Sequence, residues 1–194
     1  MSNNCTIGIS ARHVHLSKEH ADILFGKDYE FTPKPGVGPK GQWAVQERVE
    51  LIAPKSSFPK MGIICPTRDQ TQVEISKTDA FALGLKAPIR MSGDLAGSAG
   101  DVIIRGPKGE IHLEEGVIVA KRHVHIGKKF AEAHGISQGQ VVKLKVETDE
   151  RSLVFDDVIA RIGGDGDKAL VHLDTDEGNA ADLPMWSEGE IIAD

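Results

Sequence analysis

The chain has 194 residues, 40% hydrophobic and 27% charged, a composition that fits one globular domain or two small ones and excludes a membrane class. Its formal net charge of −6 argues against a general nucleic-acid binder and leaves room for a local basic pocket. The 2 cysteines, Cys5 and Cys65, make neither a disulfide framework nor a C-x-x-C pair and are expected as reduced thiols.

Along the chain, Met1 to Cys5 has no basic and then apolar leader pattern, so no secretory signal is expected. Cys5, Ile7 and Ile9 alternate as a strand that runs into Arg12-His13-Val14-His15. Ser17 caps a short helix through Ile23 and Leu24, ended by Gly26. Gly38-Pro39-Lys40-Gly41 is a turn, and Trp43 to Ala53 keeps a period of two with a polar break at Glu47. Thr78 to Leu83, closed by Gly84, is a second short helix. The glycine-rich stretch Ser92 to Gly100 follows. Val102-Ile103-Ile104 and Val117 to Ala120 are apolar runs of strand size, far short of a membrane span. Arg122-His123-Val124-His125 then repeats the first motif, followed by a helix over Lys128 to His134 closed by Gly135. Lys143 to Val146 alternates, and Gly163-Gly164-Asp165-Gly166 is another turn. Many short strands predict a mainly β fold of two small β-barrels related by an internal repeat, each with short capping helices. The expected division is 1–97 and 98–194. No role is assigned to the tail Pro184 to Asp194.

The repeated Arg-His-Val-His uses half of the 8 histidines. Residues two apart on a strand share a face, so each copy aims two imidazoles at one point. A single His-x-His is more often structural than ligating; two copies with identical flanks point to metal. Aligning Val73-Glu74-Ile75-Ser76 with Val171-His172-Leu173-Asp174 puts Glu74 opposite His172. This suggests two ligand sets, His13, His15 and Glu74, and His123, His125 and His172; sets mixed across the halves remain open at this level. Three protein ligands with an open position is the pattern of a catalytic site. Zinc suits imidazole with carboxylate best, with manganese, cobalt or iron as alternatives. His134 is expected at a helix C-terminus, where a cation suits the dipole, and His20 and His112 facing solvent.

Several stretches together resemble the PduL-type phosphate acyltransferase (phosphate propanoyltransferase) family: Ser10 to Ser17, Gln70 to Ser76, Thr78 to Gly84, Ser92 to Gly97, Ala120 to His125 and His172 to Glu177. The resemblance covers about residues 5 to 183. It implies two small β-barrels and two zinc ions per chain at a dinuclear site, held by the two sets above. It implies reversible transfer of a short-chain acyl group, propanoyl or acetyl, between coenzyme A and inorganic phosphate. By the same resemblance Arg68 contacts phosphate, Ser10, Lys34 and Asn179 contact coenzyme A, and a homodimer is expected. A basic residue of the family's coenzyme A pocket is replaced here by Gly62. Microcompartment members carry an amphipathic N-terminal extension; the first strand here starts near Cys5, which suggests a free cytoplasmic form.

In such a reaction the planar fork of Arg68 suits two phosphate oxygens. The Glu74 set is expected to take the coenzyme A sulfur and the three-histidine set to orient phosphate. Cys65, in the apolar run Ile63-Ile64-Cys65, suits a core position better than a nucleophile, so direct attack of phosphate is expected. The principal alternative is a zinc-dependent thioesterase or other metallohydrolase, and a second is a non-catalytic metal-binding barrel.

Overall fold

The structure is a computed structural model and describes residues 2–36 and 41–193. The turn expected at Gly38 to Lys40 lies outside the described residues. In chain order the elements are β1 (Asn4–Ser10), β2 (His13–His15), α1 (Lys18–Phe25), β3 (Trp43–Ile52), β4 (Ser57–Cys65), β5 (Gln72–Glu74), α2 (Lys77–Leu83), β6 (Ile89–Arg90) and β7 (Val102–Arg105). They continue with β8 (Glu110–Leu113), β9 (Val117–Ala120), β10 (His123–Ile126), α3 (Lys128–His134), β11 (Val141–Val146), β12 (Leu153–Ile162), β13 (Ala169–Asp174), α4 (Thr175–Ala180) and β14 (Trp186–Ile192). The fold is mainly β, as expected. The three expected helices form where their caps stand: Ser17 accepts from the His20 amide, Ser76 makes a capping box with Asp79, and Gly84 and Gly135 close α2 and α3 at φ 74° and 64°. The fourth, α4, opens on a second capping box between Asp174 and Glu177.

The chain forms two compact units, one of Met1–Ala11 with Lys121–Asp194, the other of Arg12–Ala120. The first is a closed barrel in the order β1-β13-β10-β12-β11-β14. Its interior holds Ile7, Ile126, Leu144 and Leu173, all fully buried. The second is an eight-stranded sheet, β6-β9-β5-β2-β4-β3-β7-β8, curled as a half-barrel. It encloses Leu16, Leu24, Leu51, Met61 and Ile63. Each such side chain contributes about 1.5–3 kcal/mol by leaving water.

A division after residue 97 does not describe this arrangement. Strand β1 belongs with the later barrel, where it pairs in parallel with β13. Strands β7, β8 and β9 belong with the earlier sheet, where β9 pairs in parallel with β5. The chain passes between units at Ala11/Arg12 and again at Ala120/Lys121, directly before the first Arg-His-Val-His motif and one residue before the second. The repeat is thus real in topology: β9-β5-β2-β4-β3 matches β1-β13-β10-β12-β11, with the leading strand of each repeat housed in the other unit.

The tail has a structural role. Strand β14 closes the barrel by pairing antiparallel with both β1 and β11. Trp186 lies over Gly8, where a Cβ would stand 2.7 Å from the indole, so glycine there makes room for the ring. The polar break at Glu47 falls where the β3–β4 register shifts, between Ala44 and Arg48. The Glu47 carboxylate accepts from the Tyr29 hydroxyl and the Thr32 amide. Among the described residues no helix is long and apolar enough to cross a membrane.

Candidate metal centres

Register makes the two candidate ligand sets. On β2, His13 and His15 point to one face, and antiparallel pairing with β5 puts Glu74 directly opposite His13. On β10, His123 and His125 do the same, and pairing with β13 puts His172 opposite His123. A one-residue slip of either pair would turn the third group away; on β13 the alternation of buried Ala169, Val171 and Leu173 holds the register, and on β5 all three residues are buried. The copies are close in geometry: the His13 and His15 rings meet at 4.9 Å and 81°, and the His123 and His125 rings at 4.9 Å and 81°.

The donor atoms converge. His13 Nε2 lies 3.1 Å from His15 Nε2 and 3.5 Å from Glu74 Oε2, and His15 Nε2 lies 3.7 Å from Glu74 Oε1. His123 Nε2 lies 3.2 Å from His125 Nε2, and in both sets all three donors lie within 4.8 Å of one another. A tetrahedron with zinc–ligand bonds of ~2.0–2.1 Å has edges of about 3.3 Å, so the separations in the first set, and that of His123 from His125 in the second, fit corners around one ion. In the second set, the His123 ring nitrogen Nδ1 donates to the Lys121 carbonyl at 3.0 Å, which leaves Nε2 as the lone-pair atom.

The charge states suit a cation. Burial pushes the His125 pKa down to about 3, with His123, His172 and Arg161 adding to it, so the imidazole is neutral. Burial also lowers His15, against the pull of Glu74. Burial opposes ionisation of Glu74, but His13, His15 and the Ser92 hydroxyl outweigh it and hold the carboxyl well below the usual range. The first set therefore offers an ionised carboxylate at Glu74, and the second a neutral imidazole at His125. Both fit an imidazole- and carboxylate-binding ion such as zinc.

Arg68 stands at the first set. Its Nη2 lies 3.0 Å from His15 Nε2, and its Nη1 donates to Ser92 Oγ at 3.0 Å. Its backbone is fixed by a bond from its amide to the Leu16 carbonyl. Ser10 ends β1 opposite Asp174, and exposed Asn179 lies on α4, which packs on β1 where Gly178 meets Ile9. Exposed Lys34 is held by its amide to the Ala44 carbonyl. Arg12 and Arg122 pair with Asp79 and Glu177, the N3 residues of the two capping boxes. Both cysteines are buried, and burial raises the Cys65 pKa, so neither is an available thiolate. His112 is exposed, as expected, and pairs with Asp101. His20 departs from its expected solvent-facing place; it is half-buried, with Nδ1 2.7 Å from Thr71 Oγ1.

Sequence reasoning assigned no role to Gln72, Ser92 or Arg161. Gln72 precedes Glu74 by two on β5 and so shares its face, a signal present in the alternation. Arg161 neighbours His125 across the β10–β12 pair, which only the register reveals.

Comparison with known proteins places the chain in a family. The profile of the family described as phosphate propanoyltransferase matches residues 6–184. A phosphate propanoyltransferase of Thermotoga maritima is 46% identical over 186 residues, covering 96% of this chain and 86% of that protein. Proteins of the same name from Listeria monocytogenes (44% over 183 residues; 94% and 84% covered) and Shewanella putrefaciens (46% over 177 residues; 91% and 82% covered) are also similar. With a profile match over residues 6–184 and relatives 44–46% identical over most of both chains, the chain belongs to the phosphate propanoyltransferase family of acyltransferases.

Proposed function

We propose that this chain transfers a short-chain acyl group, propanoyl or acetyl, reversibly between coenzyme A and inorganic phosphate, using two zinc ions. One ion belongs to His13, His15 and Glu74, the other to His123, His125 and His172, and both serve the same reaction as a dinuclear centre. The observation that carries this reading is the pair of three-donor sets, each with its donor atoms within 4.8 Å of one another, one with Arg68 beside it.

When bound, the ions supply Lewis acidity for the thioester carbonyl and for the departing thiolate. The chain supplies the rest. The Arg68 guanidinium, braced by Ser92, offers a planar fork that holds phosphate with an oxygen toward the carbonyl carbon. Ser10, Lys34 and Asn179 are the proposed coenzyme A contacts. Phosphate attacks the thioester directly, since the buried cysteines hold their protons.

The test is release of coenzyme A from acetyl-, propanoyl- and butanoyl-CoA with and without phosphate, with trapping of acyl phosphate by hydroxylamine. Expected are phosphate-dependent thiol release, stoichiometric acyl phosphate, loss of both on chelation, and recovery on adding zinc. Equal thiol release without phosphate would refute the transfer and mark a thioesterase.

A further inference from the structure

The donors around Glu74 form a closed network. Gln72 is buried on β5, and its side-chain carbonyl accepts the Gly93 amide at 2.7 Å. A backbone N–H can only donate and a carboxylate can only accept, so the Gln72 amide has one possible orientation: Nε2 faces Glu74 and Ser92. Nε2 donates to Glu74 Oε1 and to Ser92 Oγ, the latter at 2.9 Å. Ser92 Oγ in turn donates to Glu74 Oε1 at 3.0 Å and accepts from Arg68 Nη1. One hydroxyl proton and two hydroxyl lone pairs are then all engaged.

Glu74 Oε1 thus accepts two hydrogen bonds, which is the capacity of a carboxylate oxygen. Of the two oxygens, Oε2 lies 3.5 Å from His13 Nε2, and Oε1, with its two hydrogen bonds, lies 3.7 Å from His15 Nε2. The two oxygens have been made unequal by residues outside the ligand set. A carboxylate with one oxygen occupied binds a cation through the other alone. With two imidazoles this gives three donor atoms and favours a four-coordinate ion, whereas a two-oxygen carboxylate suits ions of higher coordination number.

We propose that Gln72, with Ser92, is a positioning and metal-selecting residue: by holding Glu74 Oε1 it enforces one-oxygen ligation and so selects a tetrahedral ion. The same network joins the ligand strand β5 to the loop at Ser92 and Gly93 and to Arg68, tying metal and phosphate groups to one frame. This inference rests on the metal assignment above, and its test separates the two.

Cobalt(II) is the probe, loaded into full-length protein carrying His172→Ala so that only the Glu74 set is intact. This parent is expected to show the intense visible absorption of four-coordinate cobalt. In the same background Gln72→Met is expected to lower that intensity several-fold, toward the values of five- or six-coordinate cobalt. In the otherwise unchanged chain the variant should lose zinc to a competing chelator at a concentration ~10–100-fold lower, the usual effect of removing a group that orients a ligand. Ser92→Ala, at a half-buried position, should shift both readings in the same direction by less, and Ser92→Thr should restore them. Should Gln72→Met not fold, Ser92→Ala and Ser92→Thr decide alone. An unchanged spectrum and unchanged zinc retention in every folded variant would overturn the proposal while leaving the metal site standing. A parent that shows no four-coordinate absorption at all would instead overturn the assignment of His13, His15 and Glu74 as ligands, and the proposal with it.

Discussion

The arginine that opens each repeated motif should be coupled energetically to the capping box after the third ligand. Arg12 reaches Asp79 through two contacts, Nε to Oδ2 at 3.1 Å and Nη2 to Oδ1 at 3.0 Å. The carboxylate is 7% exposed and the arginine side chain 42% exposed. Asp79→Ala removes this fork, about 1.5–2 kcal/mol for a charge-assisted pair with one partner partly in water. It also removes the return bond of the capping box, about 0.5 kcal/mol. Arg12→Ala removes the same fork and the stacking on Phe58 at 4.1 Å, worth a further ~0.5–1 kcal/mol, and strands the buried acid. The fork is counted in both single variants and lost once in the double variant. The double-mutant cycle should therefore show a coupling of about 1.5 kcal/mol. Urea unfolding of chelator-treated protein is the assay, because bound metal would add its own stabilisation. The equivalent pair, Arg122 and Glu177, has a single contact at 2.7 Å, and burial lifts the Glu177 carboxyl above its ordinary range despite the arginine. Its coupling should be smaller, about 1 kcal/mol. Coupling below ~0.5 kcal/mol for Arg12 and Asp79 would refute the reasoning, since distant, independent sites add to within that margin.

Four further outcomes follow from the geometry. Glu74→Ala and His172→Ala should each lower the metal content from two ions per chain to one, measured by elemental analysis, and two ions retained in either would contradict the assignment. Arg68→Lys keeps the charge but loses the fork; losing one hydrogen bond of about 1.4 kcal/mol should raise the KM for phosphate roughly tenfold with little change in the KM for acyl-CoA. Burial pushes the Cys5 pKa up to about 12, so the unfolded chain releases this proton at lower pH than the folded one. Stability should fall as pH rises above ~9, by at most ~1.4 kcal/mol per pH unit, and Cys5→Ala should flatten that alkaline limb in urea titrations at several pH values. Separately produced fragments 1–97 and 98–194 should each lack near-ultraviolet circular dichroism of native strength and regain it on mixing; an isolated fragment with a native spectrum would contradict the strand pairing.

Local signals carried much of the fold. Ser17, Gly26, Gly84 and Gly135 mark helix ends through their own backbone chemistry, and those ends stand where the sequence puts them. The face shared by His13 and His15, and by His123 and His125, is likewise a local property of a strand. Pairing Glu74 with His13 and His172 with His123 needed the repeat, because sequence spacing alone does not say which strands become neighbours. The placement of β1 and β9 was not legible: a strand of Ile7 and Ile9 is apolar in either unit, and nothing in its alternation names its partner. Gln72 escaped notice for another reason. A polar residue two places from an acid looks solvated until its amide is seen to be buried and fully bonded.

The exchange of leading strands bears on how such a chain could have arisen. A lone ancestral repeat would have carried its first strand in a place where its own sheet could not use it. Two copies lending that strand to each other would complete one another, as intertwined dimers do. Fusion into one polypeptide preserves the loan and fixes the stoichiometry. It also frees the third candidate ligand to differ, carboxylate on one side and imidazole on the other, which no symmetric pair of identical subunits can achieve.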